Sequence, residues 1–125
     1  MQINTNNYTK FTFSSKRTFR KNFDTCFYSG EKFKLHEKKT IEHIIPMSQG
    51  GKNDYTNYFL VKREWNQKRS SIPLNEFIKQ NPQVKNNIIS CVNAHEGEII
   101  EGIDWAGEIK KTLYKAIGYD IFEAK

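Results

Sequence analysis

The most informative part of the chain is the segment from Thr40 to Pro73, which reads TIEHIIPMSQGGKNDYTNYFLVKREWNQKRSSIP. Its first apolar run, residues 41–45, predicts a short strand that a proline ends. The Gly-, Asn- and Asp-containing stretch over residues 49–54 predicts a loop. Residues 58–61 predict a second strand, which continues directly into a helix over residues 62–70. The segment therefore predicts the order strand, loop, strand, helix.

Two polar residues, Glu42 and His43, stand within the first predicted strand. Asn57 follows His43 after 14 residues, and Asn66 follows it after 23, within the predicted helix. A β-hairpin packed on a helix would bring these four side chains onto one small patch. That patch would offer a carboxylate oxygen and an amide oxygen to a hard divalent cation, with an imidazole to take a proton from water.

Two basic residues, Lys68 and Arg69, come directly after this set. They follow Asn66 closely enough to contact a phosphate that is bound at the cation. An oxygen-ligated cation, a base and a phosphate contact are the parts that phosphodiester hydrolysis requires. These residue types in this order therefore indicate cleavage of a phosphodiester.

The same segment resembles a known family. The residues that carry the resemblance are Cys26-Phe27-Tyr28-Ser29-Gly30, Ile41-Glu42-His43-Ile44-Ile45-Pro46, Gly50-Gly51, Asn57 and Asn66-Gln67-Lys68. In order and spacing they resemble the HNH endonucleases, and most closely the HNH nuclease domain of CRISPR effector nucleases, which also has an asparagine where many relatives have a terminal histidine. The resemblance implies a ββα-metal core, the HNH or His-Me finger, over residues 23–74.

The resemblance also implies a role for each motif residue. His43 would be the general base that activates the attacking water, and Glu42 and Asn66 would hold one Mg²⁺ or Mn²⁺ ion. Asn57 would fix the loop that carries the histidine, which makes it part of the catalytic set. The products implied for the family are a 5′-phosphate and a 3′-hydroxyl. One departure is that Glu42 stands where the CRISPR domain has an aspartate.

A second departure concerns zinc, which many HNH proteins bind with two Cys-x-x-Cys pairs. Here the first pair reads Cys26 and Ser29, and the second would fall on Lys62 and Trp65. One cysteine does not make a structural zinc site. We therefore expect no structural zinc, with Cys26 as a small buried hydrophobic residue and Trp65 filling volume that the metal would have organised.

Charge is unevenly distributed along the chain, whose net charge is +6. Residues 1–74 hold 14 basic and 6 acidic groups, a net charge of +8, whereas residues 75–125 hold 6 and 8, a net charge of −2. A basic half favours a polyanion such as DNA, without excluding RNA, although a solvated basic surface is the alternative. The candidate nucleic-acid contacts are Arg17, Arg20, Lys21, Lys52, Lys68 and Arg69.

Further short elements are predicted on both sides of the motif segment. Residues 1–22 are predicted to form a basic arm with the start of a short helix, which Ser14 or Ser15 caps, which stacks Phe19 on Phe23 and which ends near Asp24. Alternating apolar residues at 33 and 35 predict an additional strand. The helices predicted for the C-terminal extension are Leu74–Gln80, a helix that starts at Pro82, and a helix over residues 105–117 between an Asp104 cap and Gly118.

The length of 125 residues, two cysteines and the absence of a long apolar run predict one domain in a reducing cytoplasm, with no membrane partner. The expected fold class is α+β, with residues 1–22, 23–74 and 75–125 as parts of that domain. The expected function is metal-dependent cleavage of DNA. A nucleic-acid-binding module, or an accessory protein that a partner regulates, is the alternative, and the C-terminal helices offer a place for a partner or a dimer. The Lys- and Asn-rich composition suits a phage or mobile element.

Overall fold

The computed structural model describes residues 16–123, and its centre is a two-stranded hairpin followed by a helix. Strand β1 (Thr40–His43) pairs in antiparallel fashion with β2 (Tyr58–Val61), so that Glu42 lies opposite Phe59 and His43 opposite Tyr58. Helix α2 (Arg63–Arg69) begins two positions after β2 ends. The predicted order of strand, loop, strand and helix is therefore confirmed.

The C-terminal half is mainly helical, as predicted. It contains α3 (Leu74–Gln80), α4 (Pro82–Asn93), a short hairpin of β3 (Ile99–Ile100) and β4 (Ile103–Asp104), and α5 (Trp105–Ile117). Both predicted ends of α5 are confirmed, because the side chain of Asp104 accepts a hydrogen bond from the amide of Gly107 and Gly118 adopts a left-handed φ of 100°. The β3–β4 hairpin is an element that the sequence patterns did not predict.

An aromatic core joins the central hairpin to the C-terminal helices. The rings of Phe27 and Phe59 stack with centroids 4.6 Å apart, and the ring of Trp105 lies 5.8 Å from that of Phe27. Helix α1, residues 16–21 of the described chain, adds Phe19, whose ring lies 4.7 Å from that of Phe23 as predicted. The capping prediction for residues 14 and 15 lies outside the described residues.

Two strand predictions are corrected by the structure. Residues 33–35 form no strand, because Leu35 sits in a turn with 86 % of its surface exposed and the next residue, His36, has a left-handed φ of 72°. Strand β1 also ends at His43 rather than at residue 45. Its end has a local cause, since the backbone of Ile45 bonds to the side chain of Asn57 instead of to a neighbouring strand.

The structure thus combines helices with two small antiparallel sheets, which places it in the α+β class. Within residues 16–123, no helix has the length and apolar character that crossing a membrane would require.

Candidate active site

Glu42 is a buried carboxylate whose two oxygens are both engaged. Its side chain, 5 % exposed as a residue, points from β1 toward α2. Oε2 accepts hydrogen bonds from the hydroxyl of Tyr28 at 2.7 Å and from Nη1 of Arg69 at 3.0 Å. Oε1 accepts from Nδ2 of Asn66 at 2.7 Å. The structure therefore brings Glu42 and Asn66, the two predicted metal ligands, into direct contact.

Arg69 forms the other half of a buried ion pair with Glu42. Its side chain is 2 % exposed. Besides Glu42 and Tyr28, the guanidinium donates to the carbonyl oxygens of His43 at 3.1 Å, Ile44 at 3.0 Å and Ile72 at 2.8 Å. The prediction that Arg69 contacts a phosphate is therefore corrected, because its donors are used inside the protein and solvent hardly reaches them.

Tyr28 is a fully buried partner of this ion pair. Burial, together with the negative charge of Glu42, raises the pKa of Tyr28 well above its ordinary value, and Arg69 only partly opposes this. The hydroxyl therefore stays protonated at neutral pH and donates to the carboxylate. Tyr28, Glu42, Asn66 and Arg69 make a closed hydrogen-bonded set, which we call the acidic network.

His43 follows Glu42 in the chain but lies in different surroundings. The residue is half-buried, and its Nε2 lies 3.0 Å from Oδ1 of Asn53. The same oxygen accepts a hydrogen bond from the hydroxyl of Tyr58 at 2.8 Å, and the Tyr58 ring stands edge-on to the imidazole at 5.4 Å. Because an amide oxygen only accepts, Nε2 is the donor in this contact, and in the neutral imidazole Nδ1 then has the lone pair.

Tyr58 shares the setting of His43. Burial raises the pKa of Tyr58 to about 12, with a further contribution from the charge of Asp54. Its hydroxyl is therefore a donor at neutral pH, consistent with its bond to Asn53. Among the contacts of the described residues, none joins the imidazole of His43 to the carboxylate of Glu42 or the amide of Asn66.

Asn57 holds the loop that follows His43. Its buried amide accepts from the backbone N–H of Ile45 at 2.9 Å and donates to the carbonyl oxygens of Ile45 at 2.9 Å and Lys52 at 2.8 Å. Three bonds from one side chain thus fix both ends of the loop. The catalytic role of Asn57 stays a prediction.

Glycine is suited to two positions of this loop, 50 and 51, for different structural reasons. Gly50 has a φ of 92°, a left-handed conformation that few other residues adopt readily. A Cβ on Gly51 would lie 1.8 Å from the carbonyl oxygen of Ile45 and 2.8 Å from Nδ2 of Asn57. A side chain at Gly51 would therefore displace the contact that Asn57 makes.

Other groups occupy the positions at which the zinc-binding pairs of many HNH proteins would fall. The buried sulfur of Cys26 accepts from the backbone amides of Ser29 at 3.4 Å and Lys62 at 3.3 Å. The ammonium group of Lys62 lies 3.2 Å from a carboxylate oxygen of Glu31 and 3.6 Å from one of Glu37. Desolvation would lower the pKa of Lys62, but the two glutamates outweigh it and raise that pKa. Residues 16–123 contain no cluster of three or more His, Cys, Asp or Glu side chains that could hold a metal ion.

The remaining basic candidates lie mainly at the surface. Lys52, Lys21 and Arg17 are exposed, and so is Lys68, whose ammonium lies 4.5 Å from the centroid of the Trp65 ring. Arg20 is half-buried and its Nε donates to the carbonyl of residue 39 at 3.2 Å. All five stay predictions as nucleic-acid contacts.

Helix α1 lies on the side of the hairpin that carries His43. The ring of Phe19 meets that of Tyr58 edge-on at 5.5 Å, and Tyr58 is the residue that touches His43. The positive charge of Arg20 also acts on Tyr58, since it partly opposes the rise of the Tyr58 pKa. Arg20 of α1 therefore lies close to Tyr58, the residue whose ring touches the candidate base.

Sequence reasoning missed three residues of this site. Tyr28 was part of a quoted motif but had no role, and Tyr58 was known only as a strand residue. Asn53 looked like an ordinary loop former, because asparagine is common in turns. The only signal for Tyr58 is its strand position, and no sequence pattern identifies Asn53 as the partner of His43.

Comparison with known proteins names the family of this segment. Residues 26–73 match the family model described as HNH endonuclease. No curated protein and no solved structure matches the chain. The family indicates a nuclease-type function with nucleic-acid binding, and its members commonly use a divalent metal, while the likeness to CRISPR effectors stays a prediction. Over residues 26–73, less than half of its length, this chain is therefore similar to the HNH endonucleases.

Proposed function

We propose that this protein is a metal-dependent endonuclease that hydrolyses DNA phosphodiester bonds to 5′-phosphate and 3′-hydroxyl ends, on a ββα-metal core over residues 23–74. One observation carries the proposal. The predicted ligands Glu42 and Asn66 touch at 2.7 Å, and the residue that follows Glu42 is a half-buried histidine within an HNH segment.

The donor atoms of Glu42 and Asn66 fit one Mg²⁺ or Mn²⁺ ion. Both residues offer oxygen, which these hard cations prefer. Oε1 of Glu42 lies 2.7 Å from Nδ2 of Asn66, so the ends of the two side chains are close enough to reach the same ion. Asn66 would present Oδ1 in place of Nδ2 to serve as a ligand. Such an ion would polarise the phosphate and stabilise the leaving 3′ oxygen.

Arg69 sets the expected strength of ion binding. The negative charge of Glu42 is already balanced by the guanidinium 3.0 Å away. A second cation is therefore attracted less strongly than it would be by an unpaired carboxylate. We expect weak affinity for Mg²⁺ in the free protein and tighter binding when a substrate phosphate adds negative charge.

His43 acts as the general base in this proposal. Nε2 donates to Asn53, so Nδ1 has the lone pair that accepts a proton from the attacking water. Asn57 assists by fixing the backbone from Ile45 to Lys52 directly after His43. The imidazole of His43 and the residues that position it, Asn53 and Asn57, have this arrangement without a bound ion.

A nicking assay on supercoiled plasmid tests the proposal. We expect nicking in Mg²⁺ or Mn²⁺, loss of activity in EDTA, and recovery when the ion is restored. Ligation of the nicks without prior phosphorylation would identify 5′-phosphate and 3′-hydroxyl ends. Activity that persists in EDTA would overturn the one-metal site.

Variants of Asn66 sharpen this test. Asn66→Ala should raise the Mg²⁺ concentration needed for half-maximal activity, because one oxygen ligand is lost. Asn66→Asp should retain part of the activity, since it offers a carboxylate at the same reach. Titration of bound Mn²⁺ by electron paramagnetic resonance measures the ion affinity of both variants independently of cleavage.

The engaged state of Glu42 favours one alternative. A carboxylate that is already neutralised by Arg69 and bonded to Tyr28 has the character of a structural group. The alternative is a nucleic-acid-binding accessory protein of the same fold, with little activity of its own. This alternative would be supported if the native protein bound DNA without nicking it in Mg²⁺ or Mn²⁺, and if His43→Ala left the DNA affinity unchanged. A protein partner or dimer through the C-terminal helices stays a prediction.

A further inference from the structure

Helix α5 is attached directly to the loop that follows His43. The hydroxyl of Thr112 donates to the carbonyl of Thr56, and Nε1 of Trp105 donates to the carbonyl of Tyr55 at 3.2 Å. Tyr55 and Thr56 belong to the short turn that ends at Asn57. The outer surface of α5 therefore has a fixed position relative to the candidate active site.

A cleft of about 200 Å³ lies between this loop and α5. Lys52 lines it from the loop, and Lys111 and Lys115 line it from the helix, with Glu108 as the acidic residue. Lys115 also lines a neighbouring cleft of about 270 Å³ together with Ile44, which directly follows His43. Three ammonium groups thus flank the backbone that leads away from the candidate base.

The basic character of α5 is concealed by the average charge of its segment. Residues 75–125 are acidic on balance, but three of their six basic residues stand on this one helix, which has a single acidic residue. Among residues 16–123, Lys52 and Lys115 form no ion pair. Lys111 pairs with Glu108 at 3.5 Å, but both side chains are exposed, so that pair is weak.

We propose that Lys111 and Lys115, together with Lys52 across the cleft, bind the nucleic-acid backbone, so that α5 forms a second wall of the substrate groove. The inference rests on the proposed function in one respect, namely that the chain acts on nucleic acid. Residues four apart lie on one face of a helix, about 6 Å apart along its axis. Lysines in this position bind phosphates as point charges and fix the position of the strand without reading its sequence.

The test measures how DNA affinity depends on salt. Fluorescence anisotropy of a labelled duplex in EDTA, over a series of salt concentrations, gives the slope of log K against log salt. The parent carries His43→Ala to prevent cleavage. Adding Lys111→Ala and Lys115→Ala should make the slope shallower by about 1.8, because each lost phosphate contact accounts for about 0.9.

A matched control removes the same charge elsewhere. Lys79→Ala with Lys85→Ala, on α3 and α4, lowers the net charge equally and should leave the slope close to that of the parent. Thermal melting of both double variants checks that the fold is retained. Equal slopes for the parent and the α5 variant would overturn the inference, as would equal changes in the α5 and control variants.

The outcomes also separate this inference from the proposed function. A shallower slope for the α5 variant, in a protein whose native form does not nick DNA, would support the groove and reject the nuclease. If the native protein nicks DNA but the α5 variant has an unaltered slope, the nuclease would be supported and the groove rejected. A parent that binds no DNA would reject both.

Discussion

Glu42 and His43 are neighbours on one strand, yet their surroundings differ in almost every respect. Glu42 is buried and accepts three hydrogen bonds, one of them from a charged partner, Arg69. His43 is half-buried, and within residues 16–123 its imidazole has one hydrogen-bond partner, Asn53. Because successive side chains of a strand point to opposite faces, one residue step separates the two environments.

We infer from this difference that Glu42 and His43 contribute to the candidate site in different ways. The acidic network around Glu42 is buried and charge-balanced, and it links strand β1 to helix α2. His43 is half-buried, with Asn53 and the ring of Tyr58 as its contacts, and in the proposed mechanism it exchanges protons with water. We therefore expect changes at Glu42 to affect stability and activity together, and changes at His43 to affect activity alone.

The largest expected effect is that of His43→Ala. The variant should lower the nicking rate by about 10² or more, as loss of a general base does. Its free energy of unfolding should fall by less than about 1 kcal/mol, because the side chain has few partners. Nicking assays and urea unfolding measure the two quantities. Near-normal cleavage would remove His43 from the mechanism.

Glu42→Gln should affect both quantities. It removes the only anionic ligand of the proposed ion and leaves the charge of Arg69 buried without its partner. Breaking a buried ion pair typically costs about 3–5 kcal/mol, and nicking should fall further than in Asn66→Asp.

Glu64→Gln provides the matched control for that loss. Glu64 lies in the first turn of α2 and is exposed, so the same change there should leave unfolding and nicking nearly unaltered. Wild-type cleavage by Glu42→Gln would show that the acidic network is structural and that the proposed ion site is wrong.

The meeting of Glu42 with Asn66 could be predicted from sequence, since a strand–loop–strand–helix order with a 24-residue spacing brings those positions together. The burial of Arg69 was also accessible in principle. Asn66 and Arg69 are three residues apart on α2 and so share a face, whereas Lys68 points elsewhere and is exposed. Grouping Lys68 with Arg69 as one basic pair ignored the helical period.

Other features depend on the path of the loop and could not be predicted. The contact between Asn53 and His43 requires the chain to return ten residues later, after the short turn at Met47–Gln49. The wrong prediction of a strand at residues 33–35 has a similar origin. Glu37 accepts a hydrogen bond from the amide of Lys34 and pairs with Lys62, which holds that segment as a turn and leaves Leu35 exposed.

Asn53→Ala tests whether the hydrogen bond to Asn53 orients the imidazole of His43. Loss of the partner that orients the imidazole should lower kcat about 10-fold, as for other residues that orient a functional histidine. Affinity for DNA should not change. Asn53→Asp keeps an acceptor oxygen for Nε2 and should restore most of the rate. Asn86→Ala, at an exposed position of α4, is the control. Equal rates for Asn53→Ala and wild type would show that Asn57 alone positions the base.

The smallest expected effect is that of Tyr28→Phe, which removes one hydroxyl from the acidic network. Glu42 would keep its bonds to Arg69 and Asn66, and Nη1 of Arg69 would keep the carbonyl of His43. One lost hydrogen bond corresponds to about 1 kcal/mol of unfolding free energy, so nicking at saturating Mg²⁺ should stay within a few-fold of wild type. Urea unfolding and nicking rates test this directly. If Tyr28→Phe instead abolished nicking while the protein stayed folded, the bonds from Arg69 and Asn66 would not be sufficient to position Glu42. Tyr28 would then be as important for cleavage as His43.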